Sequence, residues 1–128
     1  MNEGDAVRAL ARTLVSAMES YDSAGVRECY APDMRFWHNA FDTEMSGGEH
    51  IKLMEKHYFH RYLNPKYINS RIDLIEGGFV LQHILTARLA DDGGEVRMPI
   101  CVVARVKDGR ITRIDEYLTM APSRPAEI

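Results

Sequence analysis

Met98-Pro-Ile-Cys-Val-Val-Ala-Arg-Val-Lys-Asp-Gly-Arg-Ile-Thr-Arg-Ile-Asp-Glu-Tyr-Leu118 is two apolar, β-branched runs joined at Asp-Gly. That is a strong short-range signal for a β-hairpin. The geometry of its turn decides where one carboxylate points. A two-residue turn at Asp108-Gly109 pairs Val102 with Asp115 and Ala104 with Arg113, making one face a mixture of aliphatic and charged residues. A three-residue turn, Lys107-Asp108 with Gly109 as a left-handed bulge, shifts the pairing by one. Met98, Ile100, Val102 and Ala104 then share a face with Thr112, Ile114, Glu116 and Leu118, and the other face collects Arg105, Arg113 and Asp115. A one-residue slip turns a strand's side chains to the other face, so the cleaner segregation selects the bulged turn. Glu116 becomes the lone acid on an apolar sheet face.

The bulk numbers bound the rest. At 128 residues the chain reads as one domain, 1–128 with a core of about 5–120, able to bury roughly two-thirds of its unfolded surface. A formal net charge of −3 gives no reason to expect nucleic acid or an anionic membrane as partner. No apolar run approaches the ~20 residues of a membrane span. Met1-Asn-Glu-Gly-Asp5 lacks the basic start of a signal peptide, and Cys29 and Cys101 have no metal-type spacing. A cytoplasmic protein with reduced, buried thiols is expected.

Upstream, Val7, Leu10, Ala11, Leu14, Val15, Met18 and Tyr21 recur at helical spacing, with Asp5 as N-cap. A short second helix, about 24–30, takes Asp22 or Ser23 as its cap. A strand follows over 34–38, with Met34, Phe36 and His38 on one face and Arg35 and Trp37 on the other. Ser46-Gly-Gly-Glu49 has the form of a capping box opening a third helix that runs to about Tyr62. Strands are predicted over 66–76, 79–90, 95–107 and 110–118, separated by Gly77-Gly78, Asp91-Asp-Gly-Gly94 and Asp108-Gly109. Helices first and an antiparallel meander last predict an α+β domain, N-terminal helices packed on a curved, mainly antiparallel sheet. Such a sheet wraps into a cone whose interior can hold a small molecule.

Tyr30-Ala-Pro-Asp-Met-Arg-Phe-Trp-His38 resembles the junction of second helix and first strand in the SnoaL-like branch of the nuclear-transport-factor-2-like superfamily. Val106-Lys-Asp-Gly-Arg-Ile-Thr-Arg-Ile-Asp-Glu-Tyr117 resembles its final hairpin. The resemblance covers about residues 5–120 and implies a cone-shaped α+β barrel, but it does not fix a function, because this fold hosts many chemistries. Where ketosteroid isomerases carry a helix-one tyrosine, a strand-one aspartate and a penultimate-strand aspartic acid, this chain has Leu14, His38 and Val102. Against limonene epoxide hydrolases, Phe36 and His38 replace a tyrosine and an asparagine, the last-strand acid corresponds to Glu116, and His83 replaces the middle-strand acid. Scytalone-type dehydratases match at His83. Ser20-Tyr21-Asp22-Ser23 resembles their tyrosine–aspartate pair if a gap of about a turn is allowed; without it Met18 and Glu19 stand there. Their second histidine falls near Asn69 or Ser70. The resemblance also implies a homodimer formed through the outer sheet face.

The residues alone single out the same places. Phe79, Leu81, His83 and Leu85 alternate along one strand face, so His83 sits among apolar neighbours, where desolvation favours neutral imidazole. It reads either as a general base or as a core histidine satisfied by backbone or a tyrosine. His38 and Glu116 point into the same cone as partners in proton transfer. Tyr21 is a candidate carbonyl polariser. Asp22 reads as an orienting carboxylate or simply as a helix cap. Leu14, Met18, Phe36, Tyr58, Leu81, Ile100 and Val102 are the candidate substrate contacts. His50, His57 and His60 on the third helix read as a solvated face, without a metal set. The expected activity is cofactor-independent acid/base chemistry, dehydration or isomerisation of a small hydrophobic carbonyl compound. The alternative is a non-catalytic ligand-binding or accessory domain.

Overall fold

Asp108 and Gly109 both adopt positive φ, 51° and 76°, as a two-residue type I′ turn requires. Lys107 therefore pairs with Arg110 and Val106 with Ile111. The one-residue shift comes next, as a bulge in the second strand: Arg105 pairs with Arg113, leaving Thr112 as the extra residue. The Thr112 hydroxyl donates to the Arg105 carbonyl at 3.3 Å. Beyond the bulge Ala104 faces Ile114, Val102 faces Glu116 and Ile100 faces Leu118. The expected register holds but the expected three-residue turn does not: the slip is displaced from the turn into the strand. Ile111, fully buried, takes the interior place expected of Thr112.

The computed structural model describes residues 2–119. Helix α1 (Glu3–Glu19) and α2 (Ser23–Cys29) lead into β1 (Tyr30–His38) and a short β2 (Thr43–Ser46). Helix α3 (Gly47–Leu53) continues through a π-helical stretch, Met54–Tyr58, into a last turn, Phe59–Arg61. The meander β3 (Tyr62–Ile75), β4 (Gly78–Leu89), β5 (Glu95–Lys107) and β6 (Arg110–Leu118) completes the chain. The six strands form one curved, open sheet in the order β2-β1-β6-β5-β4-β3, so the cone does not close into a barrel. Every neighbouring pair is antiparallel except β1 with β6, which run parallel. No helix among the described residues is long and apolar enough to cross a membrane.

Local chemistry accounts for the element ends. Asn2, not Asp5, caps α1: its side chain accepts the Asp5 N–H at 2.8 Å. Asp22 caps α2 through the Gly25 N–H. The capping box is complete, with the Ser46 hydroxyl accepting from Glu49 N–H and the Glu49 carboxylate accepting from Ser46 N–H. Buried Met34, Phe79, Leu81, Ile111 and Ile114 of the concave face join Ala11, Leu14 and Ala17 of α1 in one core, with α1 packed on β3 and β4. Each large side chain removed from water contributes about 2 kcal/mol. This packing closes the end of the cone beneath α1 and leaves the other end hollow.

Candidate active site

The hollow end is a cavity of about 670 Å³, within the usual size range of small-molecule sites. Its wall is mostly apolar, including Met18, Phe36, Met45, Met98 and Ile100, with His38, His50, Glu116, Tyr58 and Tyr67 set into it. Parallel pairing of β1 and β6 places His38 directly opposite Glu116. The His38 Nε2 and Glu116 Oε1 lie 3.5 Å apart, with side chains only 10% and 15% exposed.

Burial raises the Glu116 carboxyl to about 7 and pushes His38 below its ordinary value. Both shifts oppose charge, so the pair rests as a neutral imidazole beside a carboxyl that holds its proton up to neutrality. At 3.5 Å the contact is longer than a made hydrogen bond, and Glu116 is not locked into an ion pair. His38 Nδ1 accepts the Ala40 N–H at 3.1 Å, which assigns the ring proton of neutral imidazole to Nε2, the nitrogen facing Glu116. His38 is therefore a hydrogen-bond donor here. Glu116, half-ionised near neutral pH, is the group suited to take up and return a proton.

Two further polar pairs complete the wall. The Tyr30 hydroxyl and His50 Nδ1 are 2.9 Å apart, and the His50 ring stacks on Phe36 at 3.6 Å between centroids. Burial lowers His50 to about 3, so it is neutral at any physiological pH. The Tyr58 and Tyr67 hydroxyls meet at 2.8 Å. One proton serves that contact and the other is free for a ligand. Burial raises both tyrosines, and the nearby Glu116 carboxylate adds to the effect; they remain neutral donors of the kind that stabilise a developing oxyanion. The π-helical stretch ends at Tyr58, and such insertions often mark functional sites because they re-aim side chains. The Glu19 carboxylate accepts the Tyr67 backbone N–H at 2.7 Å, tying α1 to the strand that carries Tyr67.

Of the residues expected from the sequence, His38 and Glu116 meet as a pair, and Met18, Phe36, Tyr58 and Ile100 line the cavity. His83 does not join them. It is buried against the face of Tyr67, centroids 4.3 Å apart, its Nδ1 has no partner, and it forms no part of the cavity wall. Desolvation lowers it to about 4, and no carboxylate among the described residues orients it. Asp22 is spent on capping α2 and Glu19 on Tyr67. Tyr21, beyond the end of α1 with φ of 56°, donates its hydroxyl to the Tyr62 carbonyl rather than to the cavity. Leu14, Leu81 and Val102 are core residues, 4%, 1% and 5% exposed, filling the closed end.

Among the wall residues that the sequence does not single out are His50 and Tyr67, and His57, expected on a solvated face, also borders the cavity. His50 does not stand on a solvated face: it lies four residues before buried Met54 on the helix face that turns inward, a spacing legible in the sequence. Tyr67 is hidden by a strand irregularity. Tyr62 and Tyr67 both face inward although five residues apart, because the pairing shifts between Leu63 and Lys66, where Asn64 has φ of 51°.

The same fold recurs in solved structures of low sequence identity. A protein of ketosteroid isomerase-like fold from Catenulispora acidiphila, solved with trimethylamine, superposes with a TM-score of 0.77 at 12% identity, over 88% of this chain and 87% of that one. AclR of Streptomyces galilaeus, a proposed hydroxylase, gives 0.81 at 21%, over 94% and 79%. An LEH-like epoxide hydrolase of M. tuberculosis gives 0.72 at 19%, over 91% and 84%. No curated protein matches the chain. The family model for the SnoaL-like domain matches residues 11–114, from the middle of α1 to the strand that delivers Glu116, and the chain belongs to that family.

Proposed function

We propose that the protein is a cofactor-independent acid/base lyase or isomerase acting on a hydrophobic, carbonyl-bearing metabolite. One arrangement carries the reading: Glu116 faces His38 Nε2 at 3.5 Å in an apolar cavity set with neutral donors, where burial raises its carboxyl to about 7. In the proposed step, ionised Glu116 takes a proton from the carbon beside the substrate carbonyl. The electron pair moves onto the carbonyl oxygen, which accepts hydrogen bonds from His38 Nε2–H and the free proton of the Tyr58–Tyr67 pair. Protonated Glu116 then returns the proton to a different carbon, giving an isomer, or to a departing β-hydroxyl, giving water and an unsaturated carbonyl compound. Both routes balance with no added oxidant or reductant. We also propose a cytoplasmic homodimer joined through the outer sheet face, where Ile84, Pro99 and Tyr117 border a shallow groove; sedimentation of the purified protein tests the dimer.

The catalytic reading is tested by incubating the protein in deuterated buffer with a panel of cyclic ketones and β-diketones while following loss of α-proton NMR signals. Catalysed exchange is expected, and Glu116→Gln is expected to lower its rate by roughly 10²–10⁴-fold, the usual contribution of a positioned proton-transfer group. Ligand binding without exchange would make the protein a binding domain and overturn the enzymatic reading.

A further inference from the structure

The helical segment bordering the cavity sorts its charges. Over Met54–Arg61, Glu55 turns away, its carboxylate accepting a hydrogen bond from the Ser23 hydroxyl at 2.9 Å. Lys56 and His60 are exposed and do not line the cavity. His57 and Arg61, four residues apart, both do. Among the described residues the only carboxyl on the same wall is Glu116, whose side chain is 15% exposed, whereas Arg61 is exposed. The Arg61 guanidinium thus stands at the mouth and the proton-transfer group lies deep.

Arg61 is positioned rather than trailing in solvent. Its guanidinium carbon lies 5.7 Å above the ring of Tyr62, itself a wall residue, and its backbone carbonyl accepts the Ala90 N–H at 2.8 Å. Arg35, Arg71, Arg88 and Arg113 are engaged with carboxylates, whereas Arg61 has no carboxylate partner among the described residues. A guanidinium seated on an aromatic wall keeps its forked donors for an anion, which it binds in two-point geometry.

The geometry points to a ligand that carries an anionic group, a carboxylate or its like, held at the mouth by Arg61 with His57 beside it. The apolar body then lies along Phe36, Met45 and Met98 and presents its carbonyl to Glu116. The substrate class is an apolar oxo acid rather than a neutral ketone. This rests on the cavity being the ligand site, as proposed above, and adds its charge.

Two fluorescent probes with the same aromatic body separate the cavity from its charged mouth: anilinonaphthalene sulfonate, which is anionic, and phenyl naphthylamine, which is neutral. Wild-type protein is expected to bind both, the sulfonate more tightly. Arg61→Gln is expected to weaken the sulfonate about tenfold, one lost charge-assisted contact, and to leave the neutral probe within about twofold. Arg61→Lys, which keeps the charge but not the forked donors, is expected to recover only part of the sulfonate affinity. Leu118→Trp, filling the cavity from its wall, is expected to weaken both probes. Equal effects of Arg61→Gln on the two probes, or none, would overturn the anionic mouth and leave the cavity reading standing. If wild type binds neither probe, or Leu118→Trp changes neither, the cavity reading falls and the anionic mouth falls with it.

Discussion

Glu116 lies opposite His38 in the parallel register of β1 and β6, with the two side chains on the concave face and their nearest atoms 3.5 Å apart. A carboxyl and an imidazole usually draw together as ions. Here burial works against both charges, and the consequence is readable in stability.

The folded protein binds the Glu116 proton more tightly than the unfolded chain does, since the carboxyl rises from 4.5 to about 7. The stability this gives is present below about pH 4.5 and is lost as pH rises toward 7. Its size is on the order of 3 kcal/mol, since each tenfold gain in proton affinity is worth about 1.4 kcal/mol. Glu116→Gln removes the titration. Denaturant unfolding at pH 5 and pH 8 is expected to show the variant gaining on wild type by about 2–3 kcal/mol at the higher pH. Equal differences at both pH values would show that Glu116 ionises freely in the fold.

His50 acts with the opposite sign. Its folded value, about 3, lies below the ordinary 6.5, so the unfolded chain takes up the proton first and stability falls as pH drops from about 6.5 toward 3. Histidine NMR titration is expected to show His50 without a midpoint above pH 4. Tyr30→Phe removes the hydroxyl that meets Nδ1 and is expected to cost about 1–2 kcal/mol, since it leaves a buried ring nitrogen unpaired. A His50 midpoint near 6 would contradict the geometry.

His83→Leu tests the residue that the sequence favours as the general base. Its Nδ1 is buried without a partner, a condition that costs about 1–3 kcal/mol. Leucine of similar bulk ends that cost and loses only the stacking on Tyr67. Melting at pH 7 is expected to be unchanged or raised, and α-proton exchange within about threefold of wild type, far short of the loss of a proton-transfer group. A loss of two or more orders of magnitude would return His83 to the mechanism.

Two glycines separate backbone strain from collision. A Cβ at Gly109 meets nothing within 4 Å, but its φ is 76°, so Gly109→Ala is expected to cost about 1 kcal/mol through conformation alone. A Cβ at Gly78 would lie 1.9 Å from the Ala104 carbonyl oxygen. Gly78→Ala must push β4 from β5 and is expected to cost about 3 kcal/mol or more. Chemical denaturation of both variants checks the order; a reversed ranking would mean that the hairpin turn, not the strand contact, is the tighter constraint.

The meander is legible in the sequence because each of its boundaries carries chemistry that acts within a few residues. Gly77-Gly78 and Asp108-Gly109 supply positive φ or close approach where a turn demands it, and alternation over Phe79, Leu81 and Leu85 marks the buried face. The inward direction of Glu116 can be read even where the turn type is misread, since the segregation of faces requires a one-residue slip somewhere and is indifferent to where it occurs. The site is legible only in part. His83 and His38 have the same signature in sequence, a histidine alternating with apolar residues. What separates them is that Tyr67 stacks on His83 and covers it, a tertiary matter. Short β2 and the π-helical stretch have no strong local signal, so the meeting of Tyr58 with Tyr67 is written in the packing and not in the residue pattern.

The parallel contact of β1 and β6 also bears on when the site comes into being. Strands β3 to β6 join through short turns, so their closure costs little entropy, whereas bringing β1 beside β6 closes the long loop that runs from His38 to Glu116. Contacts of such long separation form late in folding and tend to open first when stability is lowered. The pairing of His38 with Glu116 should therefore be lost before the hairpins melt. A chain that retains its sheet by circular dichroism can then already be without its proton-transfer centre, and hydrogen exchange at the β1 amides would reveal that inactive, partly open species.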